Sequence, residues 1–105
     1  MEKVLKGTPV SSGAAKGRIR IIASEEDRDR LLKGDIILTN QGKLDIGMLK
    51  KSAGVLSPTG GLTNHLAKRC RELGKACILG LENSELLKEG DRVEVDANSG
   101  EVRIV

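Results

Sequence analysis

The chain has 105 residues, 18 Lys and Arg against 15 Asp and Glu, a formal charge of +3, and no Phe, Tyr or Trp. That length gives one domain, residues 1–105, with a modest core of Leu, Ile, Val and Ala. The absence of aromatics excludes the base-stacking platforms of most single-strand nucleic-acid modules. The charges are interspersed, which marks a solvated surface rather than a nucleic-acid patch. No apolar run resembles a signal segment or a membrane span, so a cytoplasmic location is expected.

In chain order, Val4-Leu5 opens a short strand. Gly7 to Gly17 holds three glycines, a proline and two serines, and reads as a loop. Arg18 to Ala23 alternates as a half-buried strand does. Ser24-Glu25-Glu26-Asp27 starts a short helix with acids in its first turn, running to Leu32 and ending before Gly34. Asp35 to Thr39 is β-branched and apolar, a buried strand. Gln41 to Gly47 reads as a loop or broken helix, Leu49-Lys50-Lys51 as a helical turn, and Ala53 to Ser57 as a strand. The main helix follows: Leu66, Cys70 and Leu73 recur at helical spacing, and Gly74 is its stop. Ala76 to Leu79 returns as a strand, and a helical turn precedes Gly90. Arg92–Asp96 and Glu101–Val105 pair as a hairpin across Ala97 to Gly100. The class is α+β or α/β.

The stretch Gly60-Gly61-Leu62-Thr63-Asn64-His65 delivers the only histidine onto the first turn of that helix. Gly60 and Gly61 permit φ > 0 or close approach of a bulky ligand. Thr63 is a good N-cap, which puts His65 at the second helical position. A helix N-terminus offers free N–H groups and partial positive charge, where a phosphoryl group is held. Lys68 and Arg69 follow the histidine by three and four positions on the same helix face. By themselves these residues also fit a structural histidine, and a Ser–His–Asp triad stays open although no nucleophile elbow occurs. One His and two Cys seven residues apart lack metal-ligand spacing, so no metal is expected. Cys70 and Cys77 read as small core hydrophobes with reduced thiols.

The histidine stretch, continued by Arg71-Glu72-Leu73-Gly74-Lys75-Ala76-Cys77-Ile78-Leu79-Gly80, resembles the phosphohistidine, or swivelling, domain of the phosphoenolpyruvate-utilising enzymes. That family includes pyruvate phosphate dikinase, phosphoenolpyruvate synthase and enzyme I of the sugar phosphotransferase system. The flanks are similar to it as well: Thr8 to Gly17, Gly34 to Thr39, and Leu87 to Asp96 with Gly100-Glu101-Val102. Asn64 stands where the family usually has Ser, and Lys68 and Arg69 stand where it has apolar residues.

The resemblance implies a swivelling β/β/α fold, a β-rich sheet structure with one main helix after the histidine loop. It implies that His65 carries a phosphoryl group between separate ATP-binding and phosphoenolpyruvate- or pyruvate-binding polypeptides. Gly60, Gly61, Thr63, Asn64, Lys68, Arg69 and Arg71 would support the phosphate. It also places the Gly7–Gly17 segment beside the histidine. Such a chain is a phosphotransferase component without turnover alone, and needs no cofactor of its own. In the dikinase branch the threonine two residues before the histidine is a regulatory target, a place that Thr63 holds. The alternative is a non-catalytic binding or regulatory module of the same fold in which His65 is never phosphorylated.

Overall fold

A computed structural model describes residues 3–40, 44–60 and 65–105. Its strands are β1 (Lys3–Lys6), β2 (Thr8–Ser11), β3 (Ala14–Ile21), β4 (Ile36–Leu38), β5 (Gly54–Leu56), β6 (Ala76–Leu79), β7 (Arg92–Asp96) and β8 (Glu101–Ile104). Its helices are α1 (Ile46–Lys51) and α2 (His65–Leu73), with 3₁₀ turns at Glu25–Arg30 and Ser84–Leu86.

The strands form a sheet of order β1-β8-β7-β3-β4-β5-β6-β2. β3 is its pivot. Ala14 to Arg18 pair antiparallel with β7, whereas Ile19 to Ile21 pair parallel with β4. One half is therefore antiparallel (β1, β8, β7), and the other parallel (β4, β5, β6) with β2 antiparallel at its edge. The two edge strands, β1 and β2, are joined by Gly7 alone, so the sheet curls until its edges meet. There Gly7 N–H donates to Gly100 O at 2.9 Å and Glu82 N–H to Lys6 O at 2.9 Å. No side chain fits at Gly7, where a Cβ would lie 2.7 Å from Ile78 Cγ2 and 2.9 Å from Leu79 O.

The parallel strands are buried on both faces, which is why they read as unbroken apolar runs. Ile36, Leu38, Leu56 and Ile78 point into the curled sheet, where they meet Val93, Val95 and Val102. Their neighbours Ile37, Val55, Cys77 and Leu79 point the other way, as period two requires. They pack against Leu49, Leu66, Ala67 and Cys70 from the two helices.

Three local expectations change. Gly7 to Gly17 is not a loop; it is β2 and the start of β3, turned at Ser12–Gly13. Pro9 reads as a turn residue, but an edge strand tolerates it because its outer side needs no N–H donor. The acidic helix after Ser24 is a 3₁₀ turn ending at Arg30. There the Asp27 carboxylate accepts from the backbone N–H of Ala23 at 2.7 Å and of Ser24 at 3.2 Å. The turn at Leu49–Lys51 is the second half of α1, which Asp45 starts by accepting from Met48 N–H at 3.1 Å.

Candidate functional site

β5 leaves the sheet through Ser57 to Gly60, and this exit is stitched down residue by residue. Ser57 is buried, and Thr59 N–H donates to its hydroxyl at 3.2 Å. Ser57 N–H donates to Ile78 O at 3.0 Å, Leu81 N–H to Ser57 O at 2.9 Å, and Gly80 N–H to Thr59 O at 3.3 Å. Gly60 then takes φ +96°, a left-handed conformation that favours glycine. Gly61, Thr63 and Asn64 lie outside the described residues, and with them the expectation that Thr63 caps the helix.

α2 opens at His65, which is exposed. Leu66, Ala67 and Cys70 bury the helix's inner face against the parallel strands. Its far end closes in a Schellman arrangement: Gly74 has φ +67°, its N–H donates to Arg71 O at 3.3 Å, and Lys75 N–H donates to Cys70 O at 2.9 Å. Behind the helix Cys70 and Cys77 face each other in the core, and their hydrogen bond, with burial, pushes the Cys77 thiol up. The same contact draws the Cys70 thiol down, and burial keeps both side chains in the core as packing groups.

His65 thus sits beyond the carboxyl ends of β4 and β5, the place where open α/β sheets put their ligands. Beside it runs a groove of about 330 Å³ whose other walls are Leu44, Asp45, Ile46, Leu66 and Arg69. The Asp45 carboxylate is held in place there by Arg28, Nη2 to Oδ2 2.5 Å, as well as by Met48 N–H. Among the described residues the His65 imidazole has no hydrogen-bond or ion-pair partner.

The cations foreseen as phosphate supports divide three ways. Arg69 lines the groove, with only a 4.0 Å contact to Glu72 at the surface. Lys68 is exposed beside it and does not line the groove. Arg71 turns away from His65 and donates from Nε to Val10 O at 2.7 Å, tying α2 to β2. The turn at Ser12–Gly13 also lies elsewhere. Gly13 packs on Ala76, at the far end of a nine-residue helix, about 13 Å of rise from His65. Only the Thr8 end of that segment, paired with Leu79, shares the histidine's end of the sheet. Asp45 and Ile46 are site walls that reading by composition passed over. The signal was present in an Asp followed at helical spacing by Ile46 and Leu49, but Gly47 obscured it. Among the described residues no cluster of His, Cys, Asp and Glu is placed to hold a metal ion. No helix formed by them is long and apolar enough to cross a membrane.

Comparison with known proteins gives this geometry a family. Residues 31–100 match the family of PEP-utilising enzymes, mobile domain. The chain is 38% identical over 101 residues to a probable phosphoenolpyruvate synthase of Methanothermobacter thermautotrophicus, an alignment covering 94% of this chain and 15% of that protein. It is 39% identical over 100 residues to rifampicin phosphotransferase of Bacillus subtilis, covering 93% and 11%. This chain therefore spans a small fraction of the length of these relatives. In fold it is similar to a chain of Thermococcus kodakaraensis aconitase X, with TM-score 0.78 at 20% identity over 98% of both chains. It is also similar to a solution structure of Enzyme I, with TM-score 0.56 at 26% identity, over 70% of this chain and 32% of that one. By sequence match and by fold, the chain belongs to the mobile, or swivelling, domain family of the PEP-utilising enzymes.

Proposed function

We propose that this chain is a phosphohistidine carrier that works with separate nucleotide-binding and phosphoenolpyruvate- or pyruvate-binding polypeptides. The observation that carries the reading is the exposed imidazole of His65, without a partner among the described residues, set on the first residue of α2 within the family match. Transfer needs an accessible nitrogen lone pair. In the first step it forms a P–N bond while the donor's P–O bond breaks, and the electron pair leaves on the donor oxygen. In the second step an acceptor oxygen attacks phosphorus, the P–N bond breaks, and the imidazole recovers its lone pair. A carrier that performs both steps in turn needs its nucleophile on the rim, where two active sites can reach it.

The other residues have supporting roles in this reading. Gly60 and Gly61 let the donor approach the backbone closely. Thr63 and Asn64 satisfy the helix start and hydrogen-bond the imidazole or the phosphate. Lys68 and Arg69 supply positive potential around the transferred group, with Arg69 at the groove and Lys68 outside it. Arg71 keeps α2 seated on β2. The chain alone gives no turnover, and it works in the cytoplasm, where its buried thiols stay reduced.

The test is to incubate the chain with a cell extract and phosphoenolpyruvate or ATP, then to measure its intact mass. One phosphoryl group is expected, labile in acid and stable in base, and none on His65→Ala. Acid-stable phosphate, or label that survives in the Ala variant, overturns the carrier reading. A wild-type chain that never takes phosphate turns the interpretation to a binding module.

A further inference from the structure

The chain has eight arginines, and six of them have a polar or electrostatic partner; Arg20 on Asp35, Arg28 on Asp45 and Arg71 on Val10 are examples. Among the described residues the guanidinium groups of Arg18 and Arg92 have none. These two are not scattered. They lie directly opposite each other in the β3–β7 register, and both are exposed. Like charges placed so across an antiparallel pair repel and destabilise it. Lys16, two residues earlier on the same face of β3, extends the row, with a side chain 80% exposed and a loose 3.9 Å contact to Glu94. The three cations border a shallow, open hollow of about 390 Å³, which also touches Val105 and Glu94. Neither α1 nor α2 covers this face, since both pack on the parallel half.

We propose that this face is a docking surface for an acidic segment of a partner polypeptide. An unpaired arginine couple that costs stability in the free chain is explained if carboxylates cover it in the complex. The face is a shallow hollow on the outside of the sheet. Its strand N–H groups are committed to the sheet, so it lacks the converging backbone donors that hold a small free phosphate. Its position suits a carrier. Arg18 lies where β3 enters the sheet junction, at the start of the parallel strands, whereas His65 lies beyond their carboxyl ends. A partner held here leaves the histidine free to visit one active site and then another. That use rests on the carrier reading; the binding itself does not.

The experiment uses the full chain and an oligoglutamate peptide as the probe. Binding is expected to weaken steeply with salt. Arg92→Glu should lose affinity by about tenfold or more, while Lys50→Glu, an equal change of charge on α1, should leave it nearly unchanged. Arg92→Ser should melt no lower than the wild type, because repulsion is relieved. Labelling of His65 by phosphoramidate, which needs no partner, should be equal in Arg92→Glu and wild type. This arm separates failure of docking from failure of the histidine. The proposal is overturned if the wild type does not bind the peptide, if both charge reversals weaken binding alike, or if duplex DNA displaces the peptide and binds the same arginines more tightly.

Discussion

The parallel and antiparallel halves share β3 but are built on different economies of surface. In the parallel half, strands of three or four residues are buried on both faces, and helices cover their outer side. In the antiparallel half, Val93, Val95 and Val102 face inward while Arg92 and Asp96 stay exposed and no helix covers them. His65 emerges at the carboxyl strand ends of the covered half. The bare half has a free face instead, and that is where its unpaired arginines lie. The chain thus keeps His65 and its arginine couple on different halves, so contact with one need not occlude the other.

The comparison is tested most severely at adjacent residues. Ile36 faces the interior of the curled sheet and Ile37 the helix layer, and both are fully buried. Ile36→Ala and Ile37→Ala should each cost about 2–5 kcal/mol, read as shifts of the urea midpoint. If the halves fold as one unit, each variant shows a single transition by circular dichroism, with the slope unchanged. Two transitions in the Ile37 variant would make the helix layer a separate unit.

A smaller effect is expected at Gly74, where φ is +67° and a Cβ meets nothing within 4 Å. Gly74→Ala should cost about 1–2 kcal/mol, from the left-handed backbone alone. A thermal midpoint equal to wild type would mean that the end of α2 relaxes freely.

The cations of the two halves provide a third contrast. Lys68→Ala with Arg69→Ala should slow phosphoryl transfer to His65 by about two- to fivefold at low salt, a gap that closes as salt is added. Arg18→Ala with Arg92→Ala should leave labelling by phosphoramidate untouched. Equal transfer rates for the helix variant and wild type at low salt would show Lys68 and Arg69 to be solvated bystanders.

The smallest effect concerns the ties at the junction. Arg30 pairs with Glu89 and with Asp27, and Arg20 bridges Glu89 and Asp35. The Glu89 carboxyl is held below its ordinary range chiefly by Arg30, and the Asp27 carboxyl chiefly by the Ala23 N–H. Because both are depressed in the folded state, their contribution is complete above the unfolded carboxylate range near about pH 4 and is lost as the pH falls below it. Stability should therefore drop on acidification, and Glu89→Gln should flatten that drop by less than about 1 kcal/mol, since the pair is largely exposed and screened. An unchanged acid limb in the variant would assign the loss to other carboxylates.

How far the sequence foretold this molecule follows from the same contrast. The β7–β8 hairpin was legible because one face is wet and the alternation is clean. β4 was legible as a β-branched apolar run, and β5 and β6 as short apolar runs. β2 was not: Thr8-Pro9-Val10-Ser11 has the composition of a turn, and only pairing with β6 makes it a strand. The helix after the histidine loop, its inner face and its stop at Gly74 could be read from spacing. The groove beside His65 could not, because its second wall comes from Leu44 to Ile46 and depends on where α1 meets α2. Nor could the arginine couple, since Arg18 and Arg92 are far apart in the chain and only the β3–β7 register brings them together.

The two outermost strands have a further consequence, for life in a crowded solution. A sheet edge is a template on which another chain can add a strand, and a domain that swings free of its neighbours exposes its edges repeatedly. Here β1 and β2 are four residues each. β1 is flanked by Lys3 and Lys6, and β2 contains Pro9 and shifts register between Pro9 and Ser11. Short length, charge, a missing donor and a register shift all discourage strand addition, and Gly7 draws the two edges toward each other. A domain built this way resists polymerising through its own sheet.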